Sequence, residues 1–312
     1  MSIDYVVPMV FHRDESWREN FRKVGREYDE DDLGDFVRYR SWDTEELLIQ
    51  LVRKNMPWLR RIYILLAQKS QVQEWMRVAM ASQQTGPEVR VVFHREFMPE
   101  WALPTFNSRA MEMFLHRVPG ISEYFLYGND DMFPIRALAV ADFFRPAKNG
   151  GGLLPCIHMT EKVFPEVPNN FQAAAMCGLN FVAKRFGKKY RTTWLKNGHS
   201  IAPIVKKTCE LLWMQGGQEI AASVSAFRLP HNFNQYIYSW WQYFAGEYVD
   251  EVPARRYVNA KKGLDEVEAV MRDGTAKIVC VNDNEMAWDW EQYGRRVREV
   301  LKTYVTDKQT GP

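Results

Sequence analysis

Three adjacent residues, Asn129, Asp130 and Asp131, end the apolar run SEYFLYG. An apolar run that stops on two carboxylates has the pattern of a buried strand delivering acids to the rim of a sheet, where open α/β sheets bind their ligands. Adjacent carboxylates at such a rim can hold a divalent cation against a phosphate; the competing role is capping of a turn. A second apolar run, KIVCV, ends on Asn282-Asp283-Asn284, either a further acid for the same cleft or an Asx-turn. His199, in KNGHSIAP, is of the type that serves as general base near neutral pH, or else caps the apolar segment behind it. Arg228, between SVSAF and LPHNF, is of the type that grips phosphate with paired N–H groups, or is a solvated surface cation. Arg38 and Arg40, in VRYRSWD, pose the same choice. Tyr236, Tyr238, Trp240, Trp241, Tyr243 and Phe244 crowd rings onto one segment, which suits core packing and leaves room for one or two rings to line a sugar. The basic run Lys184–Arg191 is a solvated face or a contact for an anionic polymer or membrane surface.

Chemistry of that kind needs elements to hold it. Tyr5–Phe11 reads as a buried first strand and Asp14–Tyr28 as a polar helix, followed by the acidic loop Asp29–Asp35. Leu47, Leu48, Leu51 and Val52 recur at helical spacing, which predicts a helix over Thr44–Asn55 opened by Asp43 or Thr44. The pattern then predicts a strand at Arg61–Ala67, a helix at Gln71–Ser82, a strand at Val89–His94 and a helix at Thr105–Arg117. The strand that reaches the acids is Tyr124–Tyr127. Strands alternating with helices specify an α/β fold with a largely parallel sheet. Beyond it, Asn149–Leu154 marks a turn, Pro165–Asn170 a loop over the site, and His199–Met214 and Phe233–Phe244 helices. Lys277–Val281 predicts a last strand and Glu285–Tyr304 a closing amphipathic helix.

Bulk properties narrow the classes. With 312 residues, 46% hydrophobic and 26% charged, the chain is long enough for one large globular domain. A net charge of +2 gives no global bias towards nucleic acid. Cys156, Cys177, Cys209 and Cys280 are widely spaced without a CxxC pair, which speaks against a zinc site or disulfide framework. No apolar run reaches the ~18 residues of a membrane span, and MSIDYVVPMVFHRDE lacks the basic start and long apolar core of a secretory signal. A reducing cytoplasm is the expected compartment. P-loop, dinucleotide and nucleophile-elbow motifs are absent.

Three segments, RYRSWDTEELLIQLVRKNMPWLRRIYILLA, LPTFNSRAMEMFLHRVPGISEYFLYGNDDMF and KIVCVNDNE, together resemble the Stealth family of sugar-1-phosphate transferases. That family includes bacterial capsular polysaccharide phosphotransferases and the catalytic subunit of the lysosomal N-acetylglucosamine-1-phosphotransferase. Of its four conserved regions, the second spans roughly Arg38 to Phe133 here. The third opens a helix with a His-x-x-x-Pro element, matched by His199 and Pro203, and sets an arginine before an aromatic helix, matched by Arg228. The fourth matches Asn282 and Asp283. The first region departs: where the family reads like YTWVDG, this chain has VPMVFHRD, with Phe11 for the aspartate and His12 for the glycine, although Asp14 and Trp17 fit the tail.

The resemblance implies a single catalytic domain, 1–312, with a Rossmann-like or GT-A-like sheet flanked by helices. Within it, 1–145 would be the nucleotide-sugar-binding half, 146–275 a mainly helical acceptor-side insertion, and 276–312 the final strand and closing helix. It implies Mg²⁺ or Mn²⁺ on Asp130, Asp131 and Asp283. It gives catalysis to His199, Arg228 and Asp131, and substrate contacts to Arg38, Arg40, Asn107, Arg109 and Glu112, the last as an orienting group. The implied reaction moves a sugar-1-phosphate from a nucleotide-diphosphate sugar, most often UDP-linked, to a saccharide hydroxyl, with release of the nucleoside monophosphate. The acceptor would be a polysaccharide or lipid-linked saccharide, the latter bringing the protein to the inner face of a membrane. Two alternatives stand beside it: a GT-A-type glycosyltransferase that releases the nucleoside diphosphate, and a saccharide-binding protein without turnover, for which the altered first region is the motive.

Overall fold

Tyr5, Val6 and Val7 are all fully buried, yet they belong to two different cores. Tyr5 and Val7 pack with Leu126 and the helix Glu45–Asn55, while Val6 packs with Phe125, Tyr127 and the second half of the chain. Alternate residues of a strand point to opposite faces, so a sheet covered on both sides demands the unbroken apolar runs seen in the sequence. The computed structural model describes residues 2–25, 39–82, 86–148, 150–259, 264–282 and 290–306.

The first half alternates β1 (Ile3–Pro8), α1 (Glu15–Lys23), α2 (Glu45–Asn55), β2 (Arg61–Leu66), α3 (Glu74–Ala81), β3 (Glu88–Phe93), the short α4 (His94–Phe97) and α5 (Ser108–Glu112), then β4 (Tyr124–Tyr127). β5 (Met132–Pro134) follows the acids, and β6 (Phe144–Pro146) pairs with β7 (Leu153–Pro155) as a hairpin. β8 (Met159–Val163) and β9 (Thr193–Asn197) form a ribbon separated in sequence by α6 (Asn170–Ala183). Then come β10 (Ala202–Val205), α7 (Lys206–Ser223), α8 (Tyr236–Ala245), β11 (Arg255–Asn259), α9 (Leu264–Arg272), β12 (Ile278–Asn282) and α10 (Trp290–Thr306).

The main sheet runs β10-β4-β1-β2-β3, and all pairs are parallel except β10 against β4. The expected α/β class with a mostly parallel sheet is therefore observed. β10 comes from the second half of the chain, so 146–275 contributes to the main sheet as well as to helices. A second sheet, β11-β12-β5, pairs β12 antiparallel with β5 through Cys280 opposite Met132.

Two expected helices are corrected. Thr105–Arg117 is not continuous: α5 stops at Glu112 and a single tight turn covers Leu115–Arg117. The Glu112 carbonyl accepts from Tyr238 Oη at 2.8 Å and the Met113 carbonyl from Trp213 Nε1 at 2.7 Å, so rings of the second half take acceptors that helix N–H groups would have used. His199–Met214 begins as a strand. Ile201, Ile204 and Val205 are β-branched, and Pro203 has no N–H to close a first helical turn; the helix starts only at Lys206.

The sequence reading missed α6 and the β8–β9 ribbon. The signal for α6 was present: Asn169 caps Gln172 N and Gln172 Oε1 accepts from Asn169 N, a reciprocal capping box three residues apart.

Candidate active site

The carboxyl ends of parallel β1 and β4 share one rim, and antiparallel β10 begins there, with Ala202 opposite Tyr127. The loop before β10, carrying His199, thus faces the loop after β4, carrying Asp130 and Asp131. β12 ends at the same place, because Val281 N donates to the Asp131 carbonyl at 3.0 Å. The two strand-then-acid motifs of the sequence converge for this reason. Asp283 and Asn284 lie outside the described residues, as does Arg38.

Gly128 makes the turn into the acids. A Cβ there would sit 2.2 Å from Tyr5 Oη, so the chain crosses the tyrosine only because the residue is glycine. That phenol oxygen is buried and has no hydrogen-bond partner among the described residues. Burial first, then the negative charges of Asp131 and Asp130, push its pKa up, so it remains a proton donor beneath the acids.

Asp131 is the centre of the rim. Its Oδ2 accepts from the Cys280 thiol at 3.2 Å and lies 3.5 Å from His199 Nε2. Its Oδ1 is buried without a hydrogen-bond partner among the described residues. Burial raises the carboxyl pKa, but the His199 hydrogen bond and charge and the Cys280 thiol outweigh it and hold Asp131 below the ordinary carboxylate value. His199 stands edge-on to Tyr257, ring centres 6.0 Å apart. Asp131, His199 and Cys280 bring one ligand atom each within 4.8 Å of one another. The thiol occupies Oδ2 and leaves Oδ1, the kind of oxygen a hard divalent cation requires, so Asp131 fits such an ion.

The other sequence candidates cluster behind Arg228. Its Nη2 donates to Ser108 Oγ at 2.8 Å, at the start of α5. Asn107, 2% exposed, caps that helix through Arg109 N and donates to the Ser225 and Phe227 carbonyls and to Asn232 Oδ1 at 2.9 to 3.2 Å. Through these bonds Asn107 ties α5 to the segment before Arg228. Arg109 is likewise engaged internally, with Asn170 Oδ1 at 2.7 Å and the Leu229 carbonyl at 3.3 Å. Glu112 accepts from Tyr127 Oη at 3.0 Å and from Gln235 N at 2.8 Å. Burial pushes its pKa up against those hydrogen bonds and the charges of Arg228 and Arg109. Tyr127 lies between the two groups, since Glu112, Arg228 and Asp130 all act on its phenol.

Trp17, Phe21, Tyr39, Phe106 and Phe227 form a separate aromatic cluster. It clamps the start of the LPTFNS segment to the residue before Arg228, and Phe106 N donates to the Ala226 carbonyl at 2.8 Å. In the divergent first region, Asp14 caps α1 through Trp17 N at 2.7 Å. Phe11 packs against the main core. Arg40 is buried, with its guanidinium 5.4 Å over the Trp290 ring.

Sequence reasoning missed Tyr5, Cys280, Tyr257 and Arg255. For Cys280 a signal existed, since it precedes Asn282 by two and shares its strand face. The aromatic helix contributes one ring to the site. Tyr236, its first residue, is acted on by Glu112, Arg255, Cys280 and Asp131, while Trp240 is fully buried with Nε1 on the Leu195 carbonyl.

The sheet and rim define an α/β protein whose functional groups gather beyond the carboxyl ends of its strands. Residues 38–150 match the family model described as Stealth protein CR2, conserved region 2; the chain carries that region, and the resemblance read from its sequence is borne out. It is 27% identical over 268 residues to capsular polysaccharide phosphotransferase cps1A of Actinobacillus pleuropneumoniae, across 83% of this chain and 70% of the relative. It is 25% identical over 344 residues to capsular polysaccharide phosphotransferase WcwK of Streptococcus pneumoniae, across 99% and 98%. Among solved structures, the apo-form glycosyltransferase GlyE of Streptococcus pneumoniae TIGR4 is 12% identical with TM-score 0.44, over 98% of this chain and 61% of that one. No helix among the described residues is long and apolar enough to cross a membrane.

Proposed function

We propose that this protein is a phosphotransferase of surface-polysaccharide synthesis, moving a sugar-1-phosphate from a nucleotide-diphosphate sugar to a saccharide hydroxyl. The observation that carries the reading is Asp131. It sits inside the segment matched to conserved region 2, holds His199 through one oxygen and keeps the other unpartnered among the described residues. The relatives' names, capsular polysaccharide phosphotransferases, support the reaction class.

In this reading His199 takes the proton of the acceptor hydroxyl as its oxygen attacks the phosphorus nearer the sugar, and the Asp131 carboxylate orients the imidazole. The bond from that phosphorus to the nucleoside monophosphate breaks. A phosphodiester forms and the monophosphate leaves with its bridging oxygen. Arg228, braced by Ser108, offsets the charge that builds on the phosphoryl oxygens. A divalent cation, Mg²⁺ or Mn²⁺, held when bound by Asp130 and Asp131 with Asp283, would supply further neutralisation at the diphosphate. Asn107 and Arg109 act at one remove, by fixing the segment that presents Arg228. The lipid-linked form of the acceptor, and with it the inner face of a membrane as the working place, belongs to the same proposal.

The test is the leaving nucleotide. Incubation with UDP-sugars, a saccharide acceptor and Mg²⁺ should release UMP and leave a phosphodiester product. Release of UDP with a new glycosidic bond would replace the reading with glycosyl transfer.

A further inference from the structure

Arg255 opens β11 and is partly buried, yet its guanidinium has no hydrogen-bond or salt-bridge partner among the described residues. Burying a cation without a counter-charge is costly, and protein surfaces offer many cheaper places for an arginine. Its position is tightly set. A Cβ at Gly198 would lie 2.2 Å from Arg255 Nη2 and 2.4 Å from Cζ, so the guanidinium is pressed flat against the residue preceding His199. Arg255 and Tyr257 share one face of β11, and Tyr257 meets the His199 ring. One strand therefore lays a cation and a ring along the 198–199 peptide. The recess that Arg255 lines also takes in Asn197, Gly198 and Ser200. Ser200 is 5% exposed, and its Oγ has no partner among the described residues. A donor fork without a protein partner among the described residues and a buried, unpartnered hydroxyl line one recess, a combination complementary to anionic oxygens.

We propose that Arg255 and Ser200 form a phosphate-binding subsite beside His199, distinct from the Arg228 position and taking anionic phosphoryl oxygens. The subsite rests on the phosphotransferase reading only for the origin of its phosphate. That is either the donor's diphosphate or a phosphodiester already built into the acceptor chain.

The experiment measures binding of two probes, inorganic pyrophosphate and dimethyl phosphate, to the wild type and to Arg255→Gln, Arg255→Lys and Gly198→Ala, by ³¹P NMR titration with melting temperatures taken in parallel. Gly198→Ala keeps the charge and pushes the flexible guanidinium aside, so it checks the geometry independently. Loss of about tenfold or more in pyrophosphate affinity in Arg255→Gln and Gly198→Ala, with a smaller loss in Arg255→Lys, supports a donor-side subsite. The same losses confined to dimethyl phosphate support an acceptor-side one. In either case the melting temperature of Arg255→Gln should stay level or rise, since an uncompensated charge has been removed. Unchanged affinity for both probes in both variants overturns the subsite, as does absence of binding to the wild type. A lowered melting temperature with affinity intact also overturns it, by making Arg255 structural. The nucleotide released by the wild type is scored separately: UDP in place of UMP removes the phosphotransferase reading and leaves the anion result standing.

Discussion

The two sides of the rim differ in how far their polar side chains are tied to one another. Around Arg228, side chains are tied to one another: Asn107 to Asn232 and two carbonyls, Arg109 to Asn170, Glu112 to Tyr127 and Gln235. Around Asp131, the Tyr5 hydroxyl, Asp131 Oδ1 and Ser200 Oγ are buried with no partner among the described residues. Buried polar groups are nearly always satisfied, and single exceptions occur on both sides, Arg228 Nε and Gln235 Oε1 on the first. What differs is the extent of the bonding between side chains: the first side is held by a network, and the second leaves a carboxylate oxygen and two hydroxyls without partners among the described residues. Each side fails in its own manner when altered.

The largest expected effect is on turnover. Asp131→Asn should lower the rate of nucleotide release by about a thousandfold, roughly 4 kcal/mol, while the urea midpoint falls only by the smaller amount that the lost charge contributes to stability. A turnover rate within tenfold of wild type at saturating Mg²⁺ would take Asp131 out of the chemistry. On the partnered side the balance reverses. Asn107→Ala removes a helix cap and strands buried carbonyls, so unfolding in urea should show a loss of about 2–4 kcal/mol. Any fall in rate should then follow from the misplaced Arg228.

The two acids give a pH contrast with a defined sign. Glu112 is raised by burial, so its unfolded form releases the proton more readily. Its effect is absent below the unfolded value of ~4.3 and becomes a loss of stability as pH rises from there through the folded value. Asp131 is lowered. Its stabilising contribution is present above ~3.9 and disappears as pH falls through the folded value. Melting curves across pH should therefore flatten on the neutral side in Glu112→Gln and on the acid side in Asp131→Asn; the same flattening in both would erase the contrast. The smallest effect concerns Tyr5. Tyr5→Phe deletes an unsatisfied hydroxyl and should leave stability unchanged or raise it by about 1 kcal/mol. A drop of 2 kcal/mol or more would mean that the hydroxyl is held within the protein after all.

The difference between the sides also explains what the sequence revealed. Asp130 and Asp131 were legible because the strand before them is apolar on both faces and stops abruptly. Their partners were not. Cys280 lies 149 residues away; its place two residues before Asn282 puts it on that residue's strand face, but which carboxylate the thiol meets is set by the distant pairing of β12 with β5. His199 was found by residue type, but its element was misjudged, since β10 is four residues long and a helix follows immediately. Asn107 and Arg109 were chosen for their place at a helix start. That place is real, and it is why they serve the scaffold: a capping side chain is spent on the backbone. Arg255 carries no periodic or motif signal, because its meaning depends on the lack of a side chain at Gly198.

The pairing of β12 with β5 bears on the life of the chain during synthesis. The strands that carry the acids emerge early, but the hydrogen bond from Val281 N to the Asp131 carbonyl and the Cys280 thiol arrive only after some 150 further residues. Bringing such distant segments together costs loop entropy that earlier contacts cannot offset, so this closure is a late step of folding. A ribosome-bound or prematurely terminated chain would display a folded sheet with an unfinished rim. The Asp131 rim would be complete only on molecules translated and folded through their last strand.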